Sequence, residues 1–148
     1  MPSNEDRRAR VLRFTERFGS VLVDSGLPRM SAWIFAALLA IDSGSMTSAE
    51  LCELLQISPA AVSGAARYLI GVGMIRREGQ PGSNRHHYRI PTDIWDDVLK
   101  DRDRILQRWT AAFREGVDLL GADTPAGARM AGSVDYFEFV SGELSAVL

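Results

Sequence analysis

Apolar residues recur every three or four positions along most of the chain, and only one short stretch alternates instead. From about Asn4 to Ser25, Val11, Phe14, Phe18, Val21 and Leu22 fall on one side of a helix that Gly26 and Pro28 end. A second helix, about Arg29 to Asp42, carries Met30, Trp33, Ile34, Ala37, Leu38 and Ile41 on its apolar side, and DSGS follows as a turn. Thr47 or Ser48 then caps a short helix, with Glu50 in position for a capping box ahead of Leu51, Leu54 and Leu55. After a tight connection at Gln56-Ile57, Ser58-Pro59 is a start signal, because serine accepts from exposed N–H groups and proline fits a first turn. That helix is expected to reach about Ile70, with Val62, Ala66, Leu69 and Ile70 inward, before Gly71 and Gly73 stop it.

Beyond Met74 the period shortens to two. Ile75 alternates with charged neighbours before GQPGSN, and Tyr88 and Ile90 alternate after it, which predicts two strands joined by a long tip and ended by Pro91. The longest helix follows, about Thr92 to Leu120, with Trp95, Ile105, Trp109, Phe113 and Val117 among its apolar positions, until Gly121 breaks it. Thr124-Pro125 repeats the cap-plus-proline signal, and a last helix presents Met130, Val134, Phe137, Val140 and Leu144 on one side. The predicted fold is mainly α with a small two-stranded antiparallel wing: a winged helix-turn-helix flanked by N- and C-terminal helices.

A chain of 148 residues, 46% hydrophobic and 24% charged, has the material for one globular core. The N-terminus MPSNEDRRARV does not read as a secretory signal, and the most apolar run, Trp33 to Ile41, is too short to span a bilayer. A soluble cytoplasmic protein without membrane contact is expected. Cys52 is the single cysteine, so an internal disulfide and a cysteine-based metal cluster are excluded; within AELCELL it reads as a buried structural thiol or else as a redox sensor.

Charge changes the picture most. The whole chain has net charge −2, yet between Ser58 and Ile90 five arginines (Arg67, Arg76, Arg77, Arg85 and Arg89) meet one acid, Glu78, which makes the segment +4 and the remainder −6. Positive charge gathered on a winged helix is where phosphates would be met. Residues early in the second motif helix face the major groove, so Ser58, Pro59, Ala60, Ser63, Gly64 and Arg67 are the expected reading surface. Apart from Arg67 they are small, which permits close approach, while Ser63 and Arg67 supply hydrogen bonds. In the wing, Asn84, Arg85 and His86 form the tip's contact set, with Arg85 entering the minor groove and Arg76 and Arg77 clamping phosphates. His86 and His87 are adjacent and so point to opposite faces of a strand, which argues against a shared metal and for a DNA-facing or structural histidine.

Three stretches carry a family likeness: GLPRMSAWIFAALL, then MTSAELCELLQISPAAVSGAARYLIGVGMIRREG, then the wing GSNRHHY. They resemble the MarR superfamily of bacterial transcriptional regulators, in particular its GbsR-like branch. Ser58, Val62 and Ser63 match the family's serine-or-threonine and valine-serine pattern in the second motif helix. Asn84 stands where the family's wing commonly has an acid, so Arg85 lacks that carboxylate. The likeness is strong over the central third and reaches the last helix only in length and type. It implies one MarR-like domain over residues 1–148, with dimerisation helices at 1–28 and 92–148 around a DNA-binding region at 29–91. It further implies a homodimer on a pseudo-palindromic operator of double-stranded DNA, acting as a repressor and released by a small-molecule effector.

The residues themselves point partly the same way. The first, fifth and sixth helices have more apolar surface than a small winged-helix core covers, and a two-fold dimer is the usual solution; packing of Trp33, Trp95, Trp109 and Phe113 within one protomer is the other. An effector pocket is expected at the junction near Trp33, Phe35, Trp95 and Trp109. A winged helix that binds a protein and no DNA is the competing function. No catalytic residue, cofactor or metal is expected: the sequence holds no cysteine–histidine pairing at a useful spacing and no glycine-rich phosphate loop after a strand.

Overall fold

The computed structural model describes residues 3–79, 81–82 and 85–147. The chain divides into two compact units, Met1–Ile94 and Trp95–Leu148.

In the first unit α1 (Asn4–Asp24) starts with a capping box, in which the Asp6 N–H donates to Ser3 Oγ at 3.1 Å and the Ser3 N–H to Asp6 Oδ2 at 3.4 Å. Its buried residues are Val11, Thr15 and Gly19, a narrower line than the apolar face expected, and Phe14 and Val21 are exposed. Gly19 explains the close approach of α1 to α2 (Arg29–Ala40): a Cβ there would lie 2.7 Å from the Trp33 ring. Helix α2 is the centre of the unit, with Ile34, Phe35 and Leu38 fully buried. Two helices follow, α3 (Ser48–Leu55) and α4 (Pro59–Gly71), joined through Gln56 in the left-handed region at φ 54.

The wing has one strand more than expected. Besides β2 (Arg76–Gly79) and β3 (His86–Arg89), Ser45–Thr47 forms β1, and the antiparallel order is β1-β3-β2. Met46 pairs with Tyr88, and both are buried, so the third strand closes the sheet onto the core. The predicted DSGS turn continues directly into this strand: Gly44 has φ 66, and its carbonyl accepts from the Ile90 N–H at 2.9 Å. A second correction concerns α4, whose buried residues are Val62, Ala65, Ala66 and Leu69, while Ile70 is 40% exposed. Ile70 lies about 100° further round the helix than Leu69, outside the arc that α2 and α3 cover.

The second unit is a helical hairpin of α5 (Ile94–Leu120) and α6 (Pro125–Val147). Its corner is tightly built. Gly121 has φ 88, Thr124 Oγ1 accepts from the Gly127 N–H at 3.0 Å, and a Cβ on Gly127 would collide with the Gly121 carbonyl. Phe113 stacks on Phe137 at 5.7 Å between centroids, Trp109 meets Phe137 edge-on at 5.9 Å, and Arg114 pairs with Glu138. Among the described residues of this unit only Thr110 and Gly127 are buried; Trp109, Leu119, Tyr136 and Phe139 are exposed. No helix among the described residues is long and apolar enough to cross a membrane.

Candidate nucleic-acid interface

The α4 helix is set by its cap and by its buried side. Ser58 Oγ accepts from the Ala61 N–H at 3.1 Å, and Pro59 occupies the first turn. On the buried side Ser31 Oγ donates to the Ala65 carbonyl at 3.2 Å, a polar tie that holds the rotation of α4 on α2. With that side turned inward, Ser58, Pro59, Ala60, Ser63, Gly64 and Arg67 are all exposed. Ala60, Ser63, Gly64 and Arg67 recur at helical spacing, so they form one continuous strip. A Cβ on Gly64 would meet nothing within 4 Å, so the packing of the chain itself does not require glycine there. Tyr68, 40% exposed, flanks the strip beside Arg67 and was not singled out by the sequence reading. Its spacing of four from Gly64 was the available signal.

The wing's register sorts its basic residues. Arg76 pairs with Arg89, Arg77 with Tyr88, Glu78 with His87 and Gly79 with His86. Side chains alternate across a strand, so Arg76 and Arg77, both expected to clamp phosphates, point to opposite faces of the wing. Arg77 shares a face with His86, and both are exposed. Arg76 shares the other face with Glu78, His87 and Arg89. There Glu78 Oε1 lies 3.3 Å from Arg89 Nε and Oε2 lies 3.3 Å from His87 Nε2. The one acid of the basic segment is thus engaged with its own sheet, and His87, half-buried against it, has a structural partner. Arg67, Arg76, Arg77 and Arg85 are exposed. Asn84 lies outside the described residues.

The residues expected to line an effector pocket fall in both units. Phe35 is fully buried in the core of the first. Trp33 covers Gly19, and the Arg29 guanidinium sits 4.8 Å from its ring centroid, a cation–π contact. Trp95 and Trp109 belong to the second unit and are each 54% exposed. Cys52 is half-buried. Among the described residues, no group of three or more His, Cys, Asp or Glu is placed to hold a metal ion.

This architecture recurs among known proteins. The HTH-type transcriptional regulator MmpR5 of Mycobacterium tuberculosis is 26% identical over 119 residues, covering 80% of this chain and 72% of the relative. A crystal structure of a transcriptional regulator superimposes with a TM-score of 0.82 at 24% identity, covering 93% of this chain and 95% of its own, and so shares the fold. Residues 25–86 match the MarR family model, and residues 93–148 match the model of MmpR5-like MarR family transcriptional regulators. The two matched stretches, on either side of Pro91, are similar to MarR family transcriptional regulators.

Proposed function

We propose that the protein is a homodimeric, sequence-specific repressor that inserts α4 into the major groove and Arg85 of the wing into the minor groove of a pseudo-palindromic operator. The observation that carries this reading is the strip on α4: Ala60, Ser63, Gly64 and Arg67 share one exposed, small-residue face with an open glycine in the middle. Arg67 stands at its end to supply a bidentate base contact. The bare hairpin supports the dimer, because exposed Trp109, Tyr136 and Phe139 are covered most simply by a two-fold copy of the same surface. Two recognition helices in successive major grooves would then sit roughly 34 Å apart.

Within the superfamily, the GbsR-like affinity is our reading of the central stretches. So is a small-molecule effector that biases the spacing of the two helices. A coupling of about 1–3 kcal/mol would change operator occupancy roughly 5- to 150-fold.

The test is selection of genomic DNA fragments by the purified protein, followed by fluorescence anisotropy against a scrambled duplex across a salt series. A palindromic site bound about 10³-fold tighter than the scramble is expected. Arg67→Ala should cost about 1–3 kcal/mol and relax sequence preference, while Arg85→Ala should weaken binding and reduce the salt slope. Equal affinity for wild type and both variants would remove this interface. Failure to enrich any fragment would move the winged helix toward a protein partner.

A further inference from the structure

A groove of about 660 Å³ lies within the first unit, and neither the strip on α4 nor the aromatic positions considered above contribute to its lining. That volume falls in the range of small-molecule sites. Its floor is apolar and drawn from three elements and one helix cap: Val11 of α1, Ile41 at the end of α2, Met46 of β1 and Leu54 of α3. Its rim is charged. Arg7 Nη1 lies 2.9 Å from Asp42 Oδ2, and Arg8 holds α3 through Nη2, which donates to the Glu53 carbonyl at 3.3 Å, with Nη1 3.7 Å from Glu53 Oε1.

Each guanidinium therefore already faces a carboxylate, which leaves little for an anion to gain. The third acid on the rim is Glu50, one helical turn from Glu53. Its Oε1 accepts from the Thr47 N–H at 3.0 Å, so its charge meets a neutral donor and the partly positive start of α3 rather than a basic side chain. Three acids against two arginines give the described rim one negative charge in excess.

We propose that this groove binds an amphipathic monocation, an amine carried on an aryl or alkyl body, with the body on the Val11–Met46–Leu54 floor and the ammonium at Glu50. The site bears on the DNA-binding elements. Thr47 ends β1, where it pairs with His87 of the wing, and its hydroxyl caps α3 by accepting from the Glu50 N–H at 3.1 Å. A ligand between α1 and this junction touches the supports of both the wing and the first motif helix. The effect on DNA rests on the regulatory reading above, whereas binding does not.

The experiment is methyl NMR of the full chain labelled at the methionine methyl, with the Met46 signal assigned from Met46→Leu. Three probes share one body and differ in the head: 4-phenylbutylamine, 4-phenylbutan-1-ol and 4-phenylbutanoate. The amine should shift Met46 saturably and bind at least about 5-fold tighter than the other two, the scale of one ion pair near water. Glu50→Gln keeps the capping box, which accepts glutamine at that position, and removes the charge, so the amine should fall to the level of the alcohol. An unmoved Met46 with all three probes would overturn the site. A tighter carboxylate, equal amine and alcohol, or a preference that survives Glu50→Gln would overturn the ligand class. Operator affinity measured with the amine comes second, so absence of a DNA effect would count against the regulatory reading and leave the site standing.

Discussion

Replacing Gly64 by alanine separates what the fold needs from what a bound duplex needs. The residue lies in the interior of the 13-residue α4, where glycine is about 0.8–1.0 kcal/mol poorer than alanine. A Cβ at that point meets no atom within 4 Å, so the propensity gain is not offset by a clash. The variant should be more stable, with a melting temperature raised by about 2–5 °C for a chain of this size. On DNA the sign reverses. If the backbone of α4 approaches the groove at Gly64, the added methyl group has no room, and overpacking of this kind costs about 1–3 kcal/mol. That is roughly a 5- to 150-fold weaker operator complex. Thermal denaturation by circular dichroism and anisotropy on the selected operator read the two effects separately. Gly71→Ala serves as the control, since Gly71 is equally open but lies at the far end of α4, and it should gain stability without losing affinity. A Gly64→Ala protein that is stabilised yet binds its operator as tightly as wild type would refute close approach at this face. A destabilised one would refute the claim that the site is open.

Other perturbations test other parts of the molecule. Gly19→Ala drives a methyl group into the Trp33 ring and should destabilise by about 1–3 kcal/mol, with Trp33→Leu in the same chain restoring much of the loss in a urea titration. Glu78→Gln releases Arg89 and His87 from their shared carboxylate; affinity for a scrambled duplex should rise and the salt slope steepen by about 1, measured by anisotropy over several ionic strengths. Phe139→Glu places a charge on the bare hairpin and should convert a sedimenting dimer to monomer; an unchanged sedimentation coefficient would put the dimer interface elsewhere. Gly127→Ala, which collides with the Gly121 carbonyl, should abolish the corner and lower helicity by circular dichroism, whereas Gly132→Ala, whose Cβ meets nothing within 4 Å, should not.

What was legible in the sequence was whatever is decided by neighbours along the chain. Ser58-Pro59 and Thr47-x-x-Glu50 announce helix starts because the hydrogen bonds they make close within three residues, and the structure has both. The strip on α4 was legible for the same reason, since a helix start plus a period of 3.6 assigns faces. β1 was not. Three residues carry no period, and Ser45–Thr47 becomes a strand only because Tyr88, more than forty residues on, presents a buried partner to Met46. Ile70 was placed inward by its chemistry alone, whereas the rotation of α4 depends on Ser31 reaching Ala65. The pairing of Glu78 with His87 and Arg89 needed the register of the hairpin, which the long tip between Gly79 and His86 leaves open in sequence. Bare aromatic positions on α5 and α6 show the converse limit: spacing reports that a helix has an apolar side, but not whether its own chain covers it.

The short β1 strand also sets where this protein can tolerate a change of length. Its three residues hold β3 in place through Met46 and Tyr88, so one residue inserted between Ser45 and Thr47 would turn Met46 away from the core and misalign the N-cap of α3 at once. Among the described residues the pairs of β2 and β3 reach Gly79 and His86, so a change of length between those two leaves each of these pairs in register. Grafting a different tip into that segment would change what the wing reaches and leave the described strand pairs in place.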